Sequence, residues 1–315
     1  MAWTALNCPQ CSAPLPRIAI WRAVNCPSCG ALITRTESIV QRDTFRQALR
    51  RAREDSAFAA GDLLCGGDRY QLLHLLGSGE FSQVYLARRV GALPFLATIK
   101  ISSSHAAPAR YAREAQVLRD LQASFNSDGG AYFSQLFPEI VAVGPVEGGD
   151  PNRHAIVLLY PTGFWGSLAA LQERFPEGID PRHAIWIWRR LLGILGPLHA
   201  SGWAHGDVRP EHALVHPQDH GIRLIGWASA QRITAAQEQA IDLLYSARIV
   251  LVLLSGAAGG GQLPATVPAG LADFVTQAAQ DDAFARTHHA GQIDALLQAH
   301  ARDAFGAPAF VPLTL

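Results

Sequence analysis

Strand-type and helix-type patterns are segregated along this 315-residue chain. Short apolar and β-branched runs come first, at Tyr70–Leu76, Val84–Arg88, Ala97–Ile101, Glu139–Val143 and Ala155–Leu159. Longer runs with helical spacing follow, at Pro181–Ala200, Ile241–Leu254 and Ala269–Gln280. Strands first and helices after predict an α+β domain. It should span residues 68–300, after a cysteine-rich module at 1–36 and a polar, charge-rich stretch at 37–67. Within that stretch Gln41–Arg50 is a weakly amphipathic helix candidate, so it reads as a helical linker. A tail, 301–315, is apolar with two prolines past Phe305 and is expected to pack extended on the surface or to dock a partner.

Composition removes several function classes. Apolar residues make up 49% and charged residues 17%, enough for a sizeable core and against global disorder. The 26 basic and 26 acidic residues cancel, whereas a chain built to hold a nucleic-acid backbone is usually basic. The longest apolar candidate, Ile241–Ala258, is broken by Asp242 and Arg248, so no membrane span is expected. The start Met1-Ala2-Trp3-Thr4 has no basic residue ahead of an apolar stretch, and the expected compartment is the cytoplasm.

Of the 26 basic residues, 25 are arginine and one is lysine, Lys100. Lysine is a compact point charge where arginine is a planar fork. A chain that uses arginine everywhere else and lysine once invites a role specific to an ammonium at that position.

Cys8-Pro9-Gln10-Cys11 and Cys26-Pro27-Ser28-Cys29 are two CxxC pairs separated by 14 residues. Such knuckles can place four thiolates tetrahedrally about Zn²⁺. Ser12 and Gly30 follow the pairs where tight turns are needed, and Ile18–Val24 between them can be a strand. Two disulfides are the alternative, but cytosolic thiols are mostly reduced. Four-cysteine closure leaves no open coordination position, so Cys8, Cys11, Cys26 and Cys29 are expected to hold a structural zinc that folds the module. The module resembles a zinc ribbon. With three arginines and no acid in residues 1–35, nearly offset by four thiolates on Zn²⁺, it suits protein docking better than nucleic acid. The fifth cysteine, Cys65, reads as a small buried hydrophobe.

Gly77-Ser78-Gly79-Glu80-Phe81-Ser82-Gln83-Val84-Tyr85 lies between two strand patterns. Ala97-Thr98-Ile99-Lys100 follows, then Arg113-Glu114-Ala115 on a helical pattern, and later His205-Gly206-Asp207-Val208-Arg209-Pro210-Glu211-His212-Ala213-Leu214-Val215. In order and context these motifs resemble the protein-kinase superfamily, of the bacterial serine/threonine type, over residues 68–300. The resemblance implies a bilobal fold with a β-rich N-lobe and a helical C-lobe. It implies that Gly77, Ser78 and Gly79 cover nucleotide phosphates with backbone N–H groups and that Lys100 holds those phosphates, paired with Glu114. Val84 and Leu214 would sandwich an adenine ring, with Thr98 where a small residue usually lies beneath it, and Leu158–Pro161 would be the hinge. Asp207 matches the catalytic base, His205 packs beneath it, and Asp242 braces the loop backbone. Bacterial zinc-ribbon kinases often work alongside protein phosphatases and von Willebrand-A-like proteins, so signalling proteins or a phosphatase are the partners the resemblance suggests.

The resemblance breaks at the chemistry. The magnesium-binding Asp of Asp-Phe-Gly is Gly226, followed by Trp227-Ala228. The metal-binding Asn of the catalytic loop is His212, its Lys is Arg209, and the third loop glycine is Ser82. Asp219 lies at the wrong end of the strand Ile222–Ile225 to substitute. Magnesium wants hard oxygen ligands, which neither Gly226 nor His212 supplies. Only 15 residues separate Gly226 from Asp242, too few for an activation loop and a peptide platform. The expectation is a pseudokinase that binds ATP with weak or no Mg²⁺ dependence. Alternatives are an atypical active serine/threonine kinase and a small-molecule phosphotransferase, and for Lys100–Glu114 a relic ion pair that only fixes its helix.

Metal analysis of protein purified without chelator should give one zinc per chain. Cys8→Ser should lose that zinc while the unfolding transition of the large domain stays in place. Less than half an equivalent, or disulfides between these cysteines under reducing conditions, counts against the ribbon.

Overall fold

A computed structural model describes residues 62–315 apart from positions 80, 92, 127–135, 149, 162, 219, 257–261, 310 and 312. Within residues 1–61 it describes five short strands: β1 (Thr4–Asn7), β2 (Pro14–Leu15), β3 (Val24–Asn25), β4 (Leu32–Ile33) and β5 (Ile39–Gln41). β1 pairs antiparallel with β2 and with β5, and β3 with β4. The first pairing brackets the segment that carries Cys8 and Cys11, the second the segment that carries Cys26 and Cys29. The four cysteines themselves lie outside the described residues, as does the linker helix expected from Gln41 onward, except that Gln41 ends strand β5.

The chain divides into two compact units, Met1–Gln116 with Glu139–Gly163, and Val117–Pro138 with Phe164–Leu315. The first holds an antiparallel sheet of β6 (Asp62–Cys65), β7 (Asp68–Ser78), β8 (Gln83–Val90), β9 (Leu96–Ser102), β10 (Ile140–Pro145) and β11 (His154–Leu159), in the order β10-β11-β9-β8-β7-β6. All five expected strands are present. β6 is a sixth, inside the stretch read as linker, so the domain begins by Asp62 and not at Asp68. Gly66 and Gly67, at φ 61° and 80°, turn the chain back on itself, and Cys65 pairs with Asp68 across them. A two-glycine turn is a hairpin signal, and it stood in the sequence. Period-two alternation puts Cys65, Tyr70, Ala97, Ile99, Ala155 and Val157 into one core. Burial, with Glu147 adding to it, pushes the Cys65 thiol up to about 11, so Cys65 packs as an inert hydrophobe. α1 (Ala107–Asn126) follows β9.

The second unit is helical. Its elements are β12 (Gly166–Ser167), α2 (Leu168–Arg174), α3 (Pro181–Ala200), β13 (Trp203–Ala204), β14 (Ala213–His216), β15 (Gly221–Leu224), β16 (Gln231–Arg232), α4 (Ala236–Ser255), α5 (Ala269–Gln280), α6 (Asp282–Thr287) and α7 (Ala290–Phe305). α3 has the expected bounds because Asp180 caps it, accepting from the Arg182 N–H, and Pro181 opens it. α3 and α4 bury Trp188, Leu191, Leu195, Leu243 and Val250, and the Trp188 indole donates to Ser246 Oγ at 3.1 Å. α4 starts at Ala236, five residues before the expected Ile241, because the Glu238 carboxylate accepts from Thr234 Oγ1 and from the Ala235 N–H. α7 runs on to Phe305, so the tail starts at Gly306 and not at residue 301. No helix among the described residues is long and apolar enough to cross a membrane.

Three positions in α3 run against helix propensity: Gly193, Gly196 and Pro197. Gly193 lies in the helix interior, where a Cβ would meet nothing within 4 Å. Glycine there costs about 1 kcal/mol relative to alanine. Gly193→Ala should therefore stabilise the protein by about 0.5–1 kcal/mol in thermal or urea unfolding. A loss of stability would mean that packing does require the glycine.

Candidate functional site

The first unit assembles the residues of the glycine-rich loop and the lone lysine. β7 and β8 form a hairpin in which Gly77 stands opposite Val84 and Ser78 opposite Gln83, and the Gly79 N–H donates to the Ser82 carbonyl at 2.8 Å to close its tip. Lys100 sits on β9, with Val84 directly opposite on β8. Since Ala97, Ile99 and Ile101 face the core, Thr98 and Lys100 face the other side of the sheet, and Val84 shares that face. Lys100 Nζ donates to Glu114 Oε1 of α1 at 2.6 Å, with side-chain exposures of 14% and 3%. A buried carboxylate needs such a partner. The tip is also held to α1, where the Arg110 guanidinium lies 4.4 Å from the Phe81 ring centre.

The second unit assembles the segment around Asp207. Asp242 on α4 is fully buried, and its carboxylate accepts from the main-chain N–H of His205 at 2.7 Å and of Gly206 at 2.9 Å. His199 Nε2 lies 3.0 Å from the same carboxylate and donates to it. His205 is also fully buried, its Nε2 is 3.1 Å from the Ile225 carbonyl, and Trp227 meets its ring edge-on at 4.6 Å. Burial holds the His205 pKa down near 4, against the opposing pull of Asp242. The unfolded chain takes up this proton more readily. The stability His205 contributes is therefore complete above the ordinary histidine value of 6.5 and declines as pH falls from there toward about 4.

Asp207, Arg209 and His212 form one cluster. Arg209 Nη2 lies 3.2 Å from His212 Nε2, and Arg209 Nε lies 3.5 Å from Asp207 Oδ1. His212 Nδ1 lies 3.0 Å from the Asp207 carbonyl and 3.2 Å from Asp207 Oδ2. Arginine only donates. His212 Nε2 must therefore accept, and the hydrogen resides on Nδ1, pointed at Asp207.

The His212 ring also lies against Gly226. Gly226 has φ 83°, and a Cβ built on it would come within 2.8 Å of His212 Cε1 and Nδ1. Real Cβ contacts are not that short, so the ring fills the volume where a side chain at 226 would begin. Beyond Gly226 the chain has little slack. A single 3₁₀ turn, Trp227–Ser229, leads into β16, which pairs with β13, and Arg232 lies 4.3 Å over the Trp203 ring. Leu214, on β14 between the buried Ala213 and Val215, is half-buried. Asp219 lies outside the described residues.

No family model matches the chain. Serine/threonine-protein kinase D of Synechocystis sp. is 26% identical to it over 171 residues, 54% of this chain and 32% of that protein, so the chain spans about a third of that relative's length. Two double-mutant crystal structures of the Mycobacterium tuberculosis PknI kinase domain each superpose with a TM-score of 0.54. They are 20% and 21% identical, covering 77% and 74% of this chain and 98% and 96% of those domains. The chain has the protein-kinase fold.

In the kinase fold, positions 212 and 226 are those whose side chains hold magnesium, by the resemblance stated above. The residues here do not fit that ion. Gly226 brings no ligand atom, its outward volume is taken by an imidazole, and the ring's lone pair at Nε2 is engaged by Arg209. Sequence reading had Gly226 and His212 as separate losses. It missed that one fills the space left by the other, although the co-occurrence of a glycine and a bulky ring at these two positions was the available signal.

The contact makes the two positions thermodynamically coupled. Gly226→Asp alone should cost about 2–4 kcal/mol, from overpacking and a left-handed backbone. In His212→Asn the same substitution should cost about 1–3 kcal/mol less. Additive costs in a double-mutant cycle of unfolding free energies would show that the ring does not fill this volume.

Proposed function

We propose that this chain is a pseudokinase, a protein-kinase fold that binds nucleotide with little or no help from Mg²⁺ and acts as a cytoplasmic signalling or scaffold protein. The observation that carries the reading is the His212 ring standing where a side chain at Gly226 would emerge. Phosphoryl transfer rests on positioning and on neutralising developing charge. With Asp207 engaged by His212 and Arg209, and no acid at 226, the second unit has a candidate for orienting a hydroxyl, and among the described residues no cluster of ligands that would anchor a divalent cation. The short, strand-paired segment after Gly226 supports the absence of a peptide platform.

The nucleotide half of the reading rests on the first unit. Lys100 is held by Glu114 on the face it shares with Val84, beside the glycine-loop hairpin. An ammonium fixed in this way suits a phosphate. The N-terminal CxxC module would dock a protein partner, a signalling protein or a phosphatase, and hold structural zinc.

The relative in Synechocystis is named a serine/threonine-protein kinase, and active phosphotransfer is the outcome that would replace this reading. ATP should raise the thermal midpoint of the wild type equally, within about threefold in Kd, in EDTA and in Mg²⁺. The rise should vanish in Lys100→Ala. No γ-phosphoryl transfer to protein substrates should be detected. Transfer at about 1 s⁻¹ or faster that Asp207→Ala abolishes would establish an active kinase instead. A nucleotide affinity indifferent to Lys100→Ala would leave the ion pair a purely structural one.

A further inference from the structure

A cavity of about 620 Å³ opens in the second unit between α3, β15 and the start of α7. None of Asp207, Arg209, His212 or Gly226 lines it. Its size lies within the range of about 300–1,000 Å³ that encloses small organic ligands. The walls are apolar, from Leu136, Phe164, Leu192, Ile194 and Ile222.

Four of the residues that line it lack side chains: Gly193 and Gly196 on α3, Gly221 on β15 and Gly291 on α7. Gly193 lines the cavity, and a Cβ on it would meet no neighbouring atom within 4 Å, so a larger side chain there has room to extend. Pro197, one turn on, has no N–H, so the Gly193 carbonyl lacks its helical donor at the cavity wall.

The charged residues of the rim are Arg189, Arg190, Arg223 and Asp294. Arg189 Nε donates to Asp294 Oδ1 at 2.8 Å, which accounts for that acid. The Arg223 guanidinium lies 5.5 Å over the Phe164 ring. Arg190 is exposed, lies 5.9 Å from the Trp186 ring, and makes no ion pair among the described residues. Guanidinium forks beside aromatic rings and above an apolar hollow match an anion carried on an apolar body.

We propose that this cavity binds a small amphiphilic anion, its apolar part beside Gly193 and its carboxylate or phosphate on Arg190. The site is separate from the nucleotide reading and does not depend on it.

Calorimetric titration of the full chain with decanoate, decyl phosphate and decan-1-ol tests the assignment. One saturable site is expected for at least one of the two anions, and which anion binds tighter identifies the head group. Decan-1-ol should bind about tenfold or more weakly, and Arg190→Ala should weaken the anion by a similar factor. Gly193→Leu should abolish binding by filling the hollow, with thermal unfolding checking that it folds. If that variant does not fold, Arg190→Ala decides. Lys100→Ala should leave decanoate binding unchanged. The proposal is overturned by unchanged binding in a folded Gly193→Leu or in Arg190→Ala, by equal affinity for the alcohol, or by no saturable binding. Binding confined to vesicles of anionic lipid, with none to free decanoate or decyl phosphate, would also overturn it in favour of a membrane surface.

Discussion

A carboxylate with no exposure to water must find all its partners inside the protein, and Asp242 finds them on the segment that matters most. Two main-chain N–H groups, of His205 and Gly206, and the His199 ring converge on it. An unpaired charge in that position would cost several kcal/mol, so the backbone at 205 and 206 is held where the carboxylate needs it. Everything downstream is referred to this point. His205 reaches the Ile225 carbonyl, the Ile225 N–H donates to the His212 carbonyl at 2.8 Å, and Gly226 follows directly. One buried carboxylate thus fixes the backbone from which Asp207, Arg209 and His212 project.

What it presents is a self-contained cluster. The groups around Asp207 are covalently part of the chain: the Arg209 guanidinium and the N–H of His212. They are present at all times, and they lie on the same short stretch as the carboxylate they meet. The site is thus preorganised about itself. On the first unit the pair is not local, because Lys100 and Glu114 stand 14 residues apart, on a strand and a helix, and neutralise each other across that separation.

How much of this was legible in the sequence depends on the range of the interaction. α3 and α5 were found with their bounds, because Asp180-Pro181 is a local start signal and both helices carry strong apolar periodicity. The pairing of Lys100 with Glu114 followed from motif order. β6 was missed because four residues give too little alternation, and the start of α4 because its cap, Glu238 on Thr234 and Ala235, is polar and stands ahead of the apolar run. The contact between His212 and Gly226 could not be seen from either residue alone. It depends on a glycine in the left-handed region and on a ring whose direction is set by Asp207 and Arg209.

That contact has a consequence for how such a chain can change. An acid introduced at 226 meets the ring at 212 before it can meet a metal ion. Removing the ring alone opens space beside a residue that still offers no ligand. Neither single substitution yields a cation site, and the first carries a folding cost. For changes made one substitution at a time, the order therefore matters: an acid at 226 is accommodated more cheaply once the ring at 212 has gone, so the contact favours one sequence of steps over the other.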